Sequence, residues 1–285
     1  MKFNLLGSGG ATKFPRPGCF CSLCEKARKR GIPYARTGPA LYLYDEAILF
    51  DTPEEIADQL NRERIKQVSH VFYTHWHPDH TQGMRVFEHI GASDRGKQGE
   101  ELNPRKPIKV YFPNDVLHDF QKLLPNFFYF EKMGWIKIQK TVDRQPVKIG
   151  QVSVTPLNLG RGKDRVRYAY LIEKDNKRVV YAPCSIFNMK VDQYYENLDL
   201  LLIETGWFGE AEKIRASLPK AHCWQDHVSF EENLELVKRI RSKKTILTHP
   251  GGARHIDYDE MKEKIKPYDQ ELNLEVAYDG MILEV

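Results

Sequence analysis

Residues 74–80 read Thr-His-Trp-His-Pro-Asp-His, so three histidines and one carboxylate fall within six consecutive positions. The apolar run Val71-Phe72-Tyr73 comes directly before them. This order predicts a buried strand that ends at Thr74 and presents the polar side chains in a loop at its tip. Such a concentration of imidazole and carboxylate favours a metal site over a chance cluster of surface histidines.

Four side chains of this stretch are candidate metal ligands. Alternate residues of an extended loop point the same way, so His75 and His77 are expected to reach one metal ion. Asp79 and His80 are adjacent and are expected to point apart, toward a second ion or a facing position. Neutral imidazole and carboxylate suit Zn, Fe or Mn.

The length and composition favour one large α/β domain over residues 1–285. Of the 285 residues, 41% are hydrophobic, which is enough for a sizeable core. No apolar run approaches the roughly 20 residues that a membrane-spanning helix requires. The N-terminus reads as a first strand and not as a signal peptide. The net charge of +4 is small for this length and weakly favours anionic partners.

Three of the five cysteines, Cys19, Cys21 and Cys24, lie within six residues. Thiolates at this spacing can surround one tetrahedral Zn ion, with a fourth ligand from elsewhere in the chain. The clustering predicts a structural zinc site in a protein of the reducing cytoplasm, not a disulfide framework. Buried free thiols are the alternative, because cysteine also behaves as a small hydrophobic residue.

Short apolar runs separated by turn residues predict a succession of strands and helices without an internal repeat. The polar stretch 91–107 is expected to be an exposed insertion. The runs 275–277 and 282–285 are predicted to close the chain as a hairpin around Asp279-Gly280. The other principal predictions are strands at Lys2–Leu6, Ala40–Tyr44, Ala47–Phe50, Lys109–Phe112, Val152–Leu157, Arg167–Ile172, Arg178–Ala182, Leu200–Glu204 and Thr245–Thr248, and helices at Gln82–His89, Asp115–Leu124, Phe230–Arg241 and Tyr258–Ile265.

The pattern His-x-His-x-Asp-His after an apolar strand resembles the signature of the metallo-β-lactamase superfamily. The resemblance covers nearly the whole chain, from Phe3 to Leu283. It implies an α/β fold in which four layers form an αββα sandwich with metal ions at one edge. It does not name a substrate, because this fold hosts hydrolases, nucleases and redox enzymes.

The resemblance implies roles for residues outside the motif. A histidine that follows an apolar strand and a threonine is a further metal ligand in the superfamily, which implies that role for His249. An aspartate at the place of Asp51 fixes the orientation and tautomer of the metal histidines. His227 matches a histidine that faces the metals and, together with Asp79, is a candidate catalytic residue, as general acid or substrate ligand. Glu204, at the end of an apolar strand, is a candidate supporting carboxylate.

Two ligands that the superfamily provides are missing from this chain. The loop Asn158–Lys163 has no histidine for the first metal, and the turn Ala182–Ser185 has no bridging aspartate. Cys184 stands in that turn, either as a ligand or as a buried structural thiol. The remaining set is Asp79, His80 and His249. Two histidines and one carboxylate with open positions suit non-haem Fe(II) as well as a single Zn.

Two branches of the superfamily share the Cys-x-Cys-x-x-Cys start. One is the phosphoribosyl cyclic phosphodiesterase of phosphonate breakdown, and the other is the pyrroloquinoline-quinone biosynthesis protein B family. The chain resembles the second branch at Tyr181–Pro183, Leu202–Trp207 and Val276–Met281, but it differs after His249.

The fourth ligand of the cysteine site has to come from a distant part of the sequence. In the phosphodiesterase branch a histidine soon after the Thr-His strand supplies it, which implies His255, six residues past His249. His222 and Cys223 are rival candidates.

Four of the seven residues Arg161–Arg167 are basic. They occupy the place of the missing histidine loop, so they face an anionic substrate in one interpretation and form a solvated charged loop in the other. A tRNA-processing nuclease of this fold is less favoured, because the sequence has no long basic arm.

The sequence therefore favours a cytoplasmic metallo-hydrolase that acts on a small anionic, phosphodiester-type substrate, with a structural Zn and a Zn or Fe ion in its active site. One alternative is an Fe(II)-dependent oxygenase that resembles the quinone-cofactor protein. Another is a metal-binding protein without turnover. Neither a membrane nor a nucleic acid is an expected partner, and the sequence leaves an oligomer open.

Overall fold

The computed structural model describes residues 1–91, 106–217, 223–251 and 256–285, which form two seven-stranded β-sheets flanked by helices. The strands are β1 (Lys2–Gly7), β2 (Ala40–Leu43), β3 (Ile48–Phe50), β4 (His70–Phe72), β5 (Ile108–Pro113), β6 (Ile136–Thr141), β7 (Val147–Ile149), β8 (Val152–Arg161), β9 (Val166–Lys174), β10 (Lys177–Ala182), β11 (Leu200–Gly206), β12 (Thr245–Pro250), β13 (Leu274–Val276) and β14 (Met281–Glu284). The α-helices are α1 (Ser22–Arg30), α2 (Ile56–Arg62), α3 (Pro78–Thr81), α4 (Val86–Gly91), α5 (Asn114–Leu123), α6 (Phe128–Lys132), α7 (Ala211–Ser217), α8 (Phe230–Ile240) and α9 (Tyr258–Leu272).

Both sheets are mixed. The first has the order β14-β1-β2-β3-β4-β5-β6, and the second has the order β13-β12-β11-β10-β9-β8-β7. Strands β3 to β6 run parallel to one another, as do strands β10 to β13, while the remaining neighbours pair antiparallel.

The core follows from the two-residue alternation of the strands. Along β9, Tyr168 and Tyr170 belong to the hydrophobic cluster between the sheets, whereas Ala169 and Leu171 belong to the cluster on the other face. The ring of Tyr170 lies 5.4 Å from the rings of both Phe50 and Phe72 in the first sheet. Aromatic packing therefore joins the two sheets directly behind the histidine motif.

Helices cover the outer faces of both sheets. Leu234, Val237 and Ile240 on α8 are buried in the outer cluster of the second sheet. Capping boxes at Ser229 and Asp257 begin α8 and α9 by satisfying the first free backbone N–H groups. The predicted four-layer αββα sandwich is thus confirmed.

The parallel strands place their carboxyl ends at one edge of the molecule, and this edge holds the polar residues. Strand β4 ends at Phe72, β10 at Ala182, β11 at Gly206 and β12 at Pro250. Ligands in α/β proteins bind outside the carboxyl ends of strands, because side chains from several strands meet there.

The prediction that the chain closes as a hairpin is wrong. Strand β13 pairs with β12 in the second sheet, whereas β14 pairs with β1 in the first. The carboxylate of Asp279 accepts hydrogen bonds from Ser8 and Thr37, so the turn carries the chain from one sheet to the other.

Other boundaries also differ from the predictions. The helix predicted over Gln82–His89 is divided into a 3₁₀ turn at Gln82–Arg85 and helix α4. Strand β8 continues to Arg161, so part of the predicted loop Asn158–Lys163 is a strand. Most of the polar stretch 91–107 lies outside the described residues.

Candidate metal centre

The end of the histidine motif forms a short helical turn. Pro78 occupies the first position of α3, where its missing N–H costs nothing. Oδ2 of Asp79 and Nε2 of His80 lie 3.4 Å apart. The expectation that these neighbours point apart is therefore wrong, because it assumed an extended loop.

His249 joins Asp79 and His80 from the second sheet. Its backbone N–H, near the end of β12, donates to the carbonyl of Ser8 at 3.0 Å. Its Nε2 lies 3.3 Å from Oδ2 of Asp79. One donor atom from each of Asp79, His80 and His249 lies within 4.8 Å of the other two. The structure thus brings the two histidines and the carboxylate together.

Asp51 orients His80. Its Oδ2 lies 2.7 Å from Nδ1 of His80, and its Oδ1 accepts the backbone N–H of Thr74 at 2.8 Å. The side chains of Asp51 and His80 are both 0% exposed. Because Nδ1 is engaged, His80 is left with Nε2 as its free donor atom, which is the arrangement that a metal ligand requires.

Cys184 lies among the histidines, in the turn that lacks the bridging aspartate. Its thiol forms a second cluster with His75 and His80, again with all donor atoms within 4.8 Å. Burial opposes ionisation of this thiol, but attraction to the adjacent imidazole of His249, and to a lesser degree that of His75, outweighs it and lowers the pKa of Cys184 well below the ordinary value. A thiolate is the form of cysteine that binds metals.

The two clusters share His80, although this residue has one free nitrogen. That nitrogen can bind only one ion, so two separate ions cannot both use His80 as a ligand. Burial lowers the pKa of His75 well below its ordinary value, so that imidazole is neutral, as ligation requires.

His77 contacts a carboxylate that the sequence did not single out. Its Nε2 lies 2.9 Å from Oδ2 of Asp164, and the other oxygen of Asp164 lies 2.6 Å from Nη1 of Arg165. No cluster of close donor atoms joins His77 to His75 within the described ranges. The feature of the sequence that could have pointed to Asp164 is its position in Arg161–Arg167, the stretch that stands where the superfamily has a metal-binding histidine.

His227 lies beside this centre, on a carboxylate of β11. Its Nδ1 is 3.1 Å from Oε1 of Glu204, and its Nε2 is 3.4 Å from Oγ of Ser185. The ring of His227 lies 6.1 Å from that of His249. Glu204 also accepts the backbone N–H of Ile186 at 3.1 Å, which fixes the carboxylate. Like Asp164, Ser185 contacts a histidine of this region, His227, and was not singled out from the sequence.

The buried nitrogen atoms of this centre fit a metal ion. Nε2 of His75, Nε2 of His80 and Nδ1 of His249 have no hydrogen-bond partner in the part of the chain that the structure describes. A buried polar atom without a partner is costly, and coordination removes that cost.

The three N-terminal cysteines form a separate cluster. The sulfur atoms of Cys19, Cys21 and Cys24 lie within 4.8 Å of one another, and those of Cys19 and Cys21 are 3.4 Å apart. A hydrogen bond from the backbone of Cys24 lowers the pKa of Cys21 to about 7. The fourth-ligand candidate His255 and its rival His222 lie outside the described residues, as does the side chain of Cys223.

Within the described ranges, the structure contains no helix that is long and apolar enough to span a membrane.

A family model described as "Beta-lactamase superfamily domain" matches residues 46–250. Among curated proteins, the octanoyltransferase of Porphyromonas gingivalis (strain ATCC BAA-308 / W83) is 25% identical over 171 residues, which cover 57% of this chain and 31% of that protein. The match thus spans about a third of the length of that curated relative.

Solved structures share the fold over the whole chain. Zn(2+)-bound PqqB from Methylobacterium extorquens is 16% identical with a TM-score of 0.76, and the alignment covers 100% of both chains. A diphosphatase from the PhnP family is 19% identical with a TM-score of 0.71, covering 100% of this chain and 98% of the other. The short form of human tRNase Z is 18% identical with a TM-score of 0.62, covering 100% and 99%. At these identities the likeness establishes the fold alone.

Proposed function

The chain belongs to the metallo-β-lactamase superfamily, and we propose that it is a metal-dependent hydrolase of small anionic, phosphodiester-type substrates. The observation that carries the proposal is the convergence of Asp79, His80 and His249 beside His227. A set of ligands next to a histidine that can move a proton is what metal-assisted hydrolysis requires.

In this proposal Asp79, His80 and His249 would hold the catalytic ion. When bound, a Zn or Fe ion would polarise the scissile phosphoryl or acyl group and activate water. Asp51 holds His80 in the ligating tautomer through the bond to Nδ1. Cys184 lies close to His249, and as a thiolate it would supply a further negative charge beside a bound ion.

His227 is the proposed general acid. The carboxylate of Glu204 accepts from Nδ1 of His227, which leaves Nε2 to exchange a proton with the leaving group. Glu204 is thus a positioning residue, which acts on the substrate through the imidazole.

The cysteine cluster is proposed to hold a structural Zn. Cys19, Cys21 and Cys24 offer three sulfur atoms, and sulfur coordination that leaves no open position stabilises a fold without taking part in chemistry. His255 remains the proposed fourth ligand.

An Fe(II)-dependent oxygenase is the second candidate, on one specific observation. The ligand set contains two histidines and one carboxylate, which is also the set used by non-haem Fe(II) oxygenases. CmlA β-hydroxylase, which covers 77% of this chain at 14% identity and a TM-score of 0.52, has the same fold.

One experiment separates these functions. Protein purified without added metal is analysed for Zn and Fe, and is then assayed against bis(p-nitrophenyl) phosphate, a panel of cyclic phosphodiesters and a precursor tRNA. A second sample is reconstituted anaerobically with Fe(II) and tested for oxygen uptake.

We expect hydrolysis of small phosphodiesters and none of tRNA, with activity lost in His249→Ala while the zinc at the cysteines stays. Oxygen uptake without hydrolysis would favour the oxygenase. Bound metal with neither activity would leave a metal-binding protein without turnover, and would contradict the proposal.

A further inference from the structure

A cavity of about 400 Å³ opens beside the metal centre. His227 and His249 line one part of it, and Cys19, Cys21 and Cys24 line another. Phe14, Trp207, Tyr258 and Met261 contribute apolar walls. Its volume is within the range of small-molecule sites, and because His249 lines it, a bound molecule would have access to an ion held by His249.

Arg36 contributes a cation to this cavity. Its side chain lines the wall, although the residue is only 6% exposed. Its backbone is fixed by paired hydrogen bonds to Phe14, at 2.7 and 2.8 Å. Burial lowers the pKa of Arg36 to about 10, which still leaves the guanidinium charged at neutral pH.

This guanidinium has almost no polar partner within the described part of the chain. Among the residues that the structure describes, Nη2 is buried without a hydrogen bond, and the one hydrogen bond of Nη1 is to the weak acceptor Sδ of Met261, at 3.5 Å. The ring of Tyr258 lies 6.0 Å away, at the outer limit of a cation–π contact. Among the described residues, no carboxylate oxygen lies within 4.0 Å of its nitrogens. A buried charge in this state is costly unless something pairs with it.

The two carboxylates that attract Arg36 from a distance are already engaged. Asp279 accepts four hydrogen bonds, from the backbone and hydroxyl groups of Ser8 and Thr37. Asp257 caps helix α9 with one oxygen and pairs with Lys26 through the other. Neither is therefore free to serve as the direct counter-ion of Arg36.

We propose that Arg36 binds a second anionic group of the substrate, a carboxylate or a phosphate. The inference rests on the proposed hydrolase function, since it places the scissile group at the ion and the second anion at Arg36. The planar guanidinium can grip either group with two parallel hydrogen bonds. The apolar walls between the two ends accept a hydrophobic or aromatic body. The substrate class is thus a small molecule with two separated anionic groups.

The test measures binding of phenylphosphonate, benzoate and neutral benzamide to the metal-loaded protein, by calorimetry and by the fluorescence of Trp207 in the cavity wall. The His249→Ala variant is included, so that anion binding at Arg36 is separated from binding at the ion. Arg36→Gln should weaken both anions about 10- to 100-fold, as expected for hydrogen bonds to a charged group, and leave benzamide unchanged.

Arg62→Gln is the matched control. Its guanidinium also lies near Asp279, at 3.6 Å, but does not line the cavity. Arg62→Gln should keep the wild-type affinity for both anions. In His249→Ala, the anion affinity that depends on Arg36 should also stay unchanged. Equal anion affinity in folded Arg36→Gln and wild type would overturn the inference.

Crystals of the wild-type protein soaked in phenylphosphonate give a second readout that does not depend on a variant. Density within hydrogen-bond distance of the Arg36 guanidinium is the expected result, and an anion bound only at the metal histidines would contradict it. Anion binding at Arg36 without any phosphodiester hydrolysis would refute the hydrolase function alone. Hydrolysis with an unchanged KM in Arg36→Gln would refute the role of Arg36 alone.

Discussion

The carboxylate of Asp51 and the imidazole of His80 are 29 residues apart in the sequence and meet at 2.7 Å, with neither side chain exposed. The bond occupies Nδ1 of His80, so the free donor atom is Nε2, on the side of Asp79. A buried pair of this kind fixes the ring before any ion arrives, and lowers the entropic cost of binding it.

Replacing Asp51 by Asn should lower the affinity of the active-site ion about 10- to 100-fold, because the amide keeps the shape but loses the charge that supports the imidazole. Titration against a chromophoric chelator measures the affinity. Asp58→Asn, an exposed change on α2, is the control and should have no effect. An unchanged affinity in Asp51→Asn would show that His80 needs no such support.

The pair also shows what the sequence can and cannot predict. The apolar run before Thr74 and the turn after Phe50 marked both strand ends, and the resemblance implied the role of Asp51. The helical turn that brings Asp79 to His80 was not predicted, because an alternation rule assumes extended backbone. A four-residue turn made of Pro78, Asp79, His80 and Thr81, none of them a strong helix former, carries too little local signal to override that assumption.

Cys21→Ser should release about one equivalent of Zn and lower the melting temperature, because binding free energy at a closed sulfur site is largely folding free energy. Elemental analysis and a thermal melt are the measurements. Ser22→Ala, the exposed neighbour, is the control and should keep the zinc. An unchanged Zn content in Cys21→Ser would contradict the structural-zinc proposal.

His227→Gln should lower kcat about 10²- to 10⁴-fold while the metal content stays, because a general acid is lost and no ligand is. Glu204→Gln should have a smaller effect on kcat and should also move the pH profile, since it changes the charge next to Nδ1 of His227. Glu235→Gln, on the exposed side of α8, is the control. If His227→Gln instead loses the active-site ion, His227 is a metal ligand and not the general acid.

Long-range pairing accounts for most of what the sequence left open. Asp164 and His77 are 87 residues apart, and nothing in either segment indicates that they meet at 2.9 Å. The strand at Met281–Glu284 was recognised, but its partner was not, because the hairpin rule considers only neighbours in sequence. Local periodicity predicts that an element exists, whereas its partner depends on the packing of the whole chain.

The pairing of His77 bears on the number of ions in the pocket. Its Nε2 is engaged by Asp164, which is itself held by Arg165, and among the described residues no cluster of three close donor atoms includes His77. Asp164→Ala should free the ring and raise the affinity for a second ion. A lower affinity in that variant would instead identify Asp164 as a ligand, and chelator titration distinguishes the two outcomes.

The last prediction is that the pocket holds one ion tightly. His80 has one free nitrogen, and the cluster that combines it with a carboxylate is Asp79, His80 and His249. A second cation about 3.5–4 Å away would be strongly repelled, and no carboxylate in the turn Ala182–Ser185 bridges the two positions. The position beside His75 is therefore expected to be weak, and Cys184, which clusters with His75 and His80, would strengthen it as a thiolate. Anomalous diffraction from crystals grown without added metal should show one full-occupancy ion in the pocket besides the one at the cysteines. Two full-occupancy ions there, reduced to one in Cys184→Ser, would refute the single-ion prediction and make that thiolate the bridge.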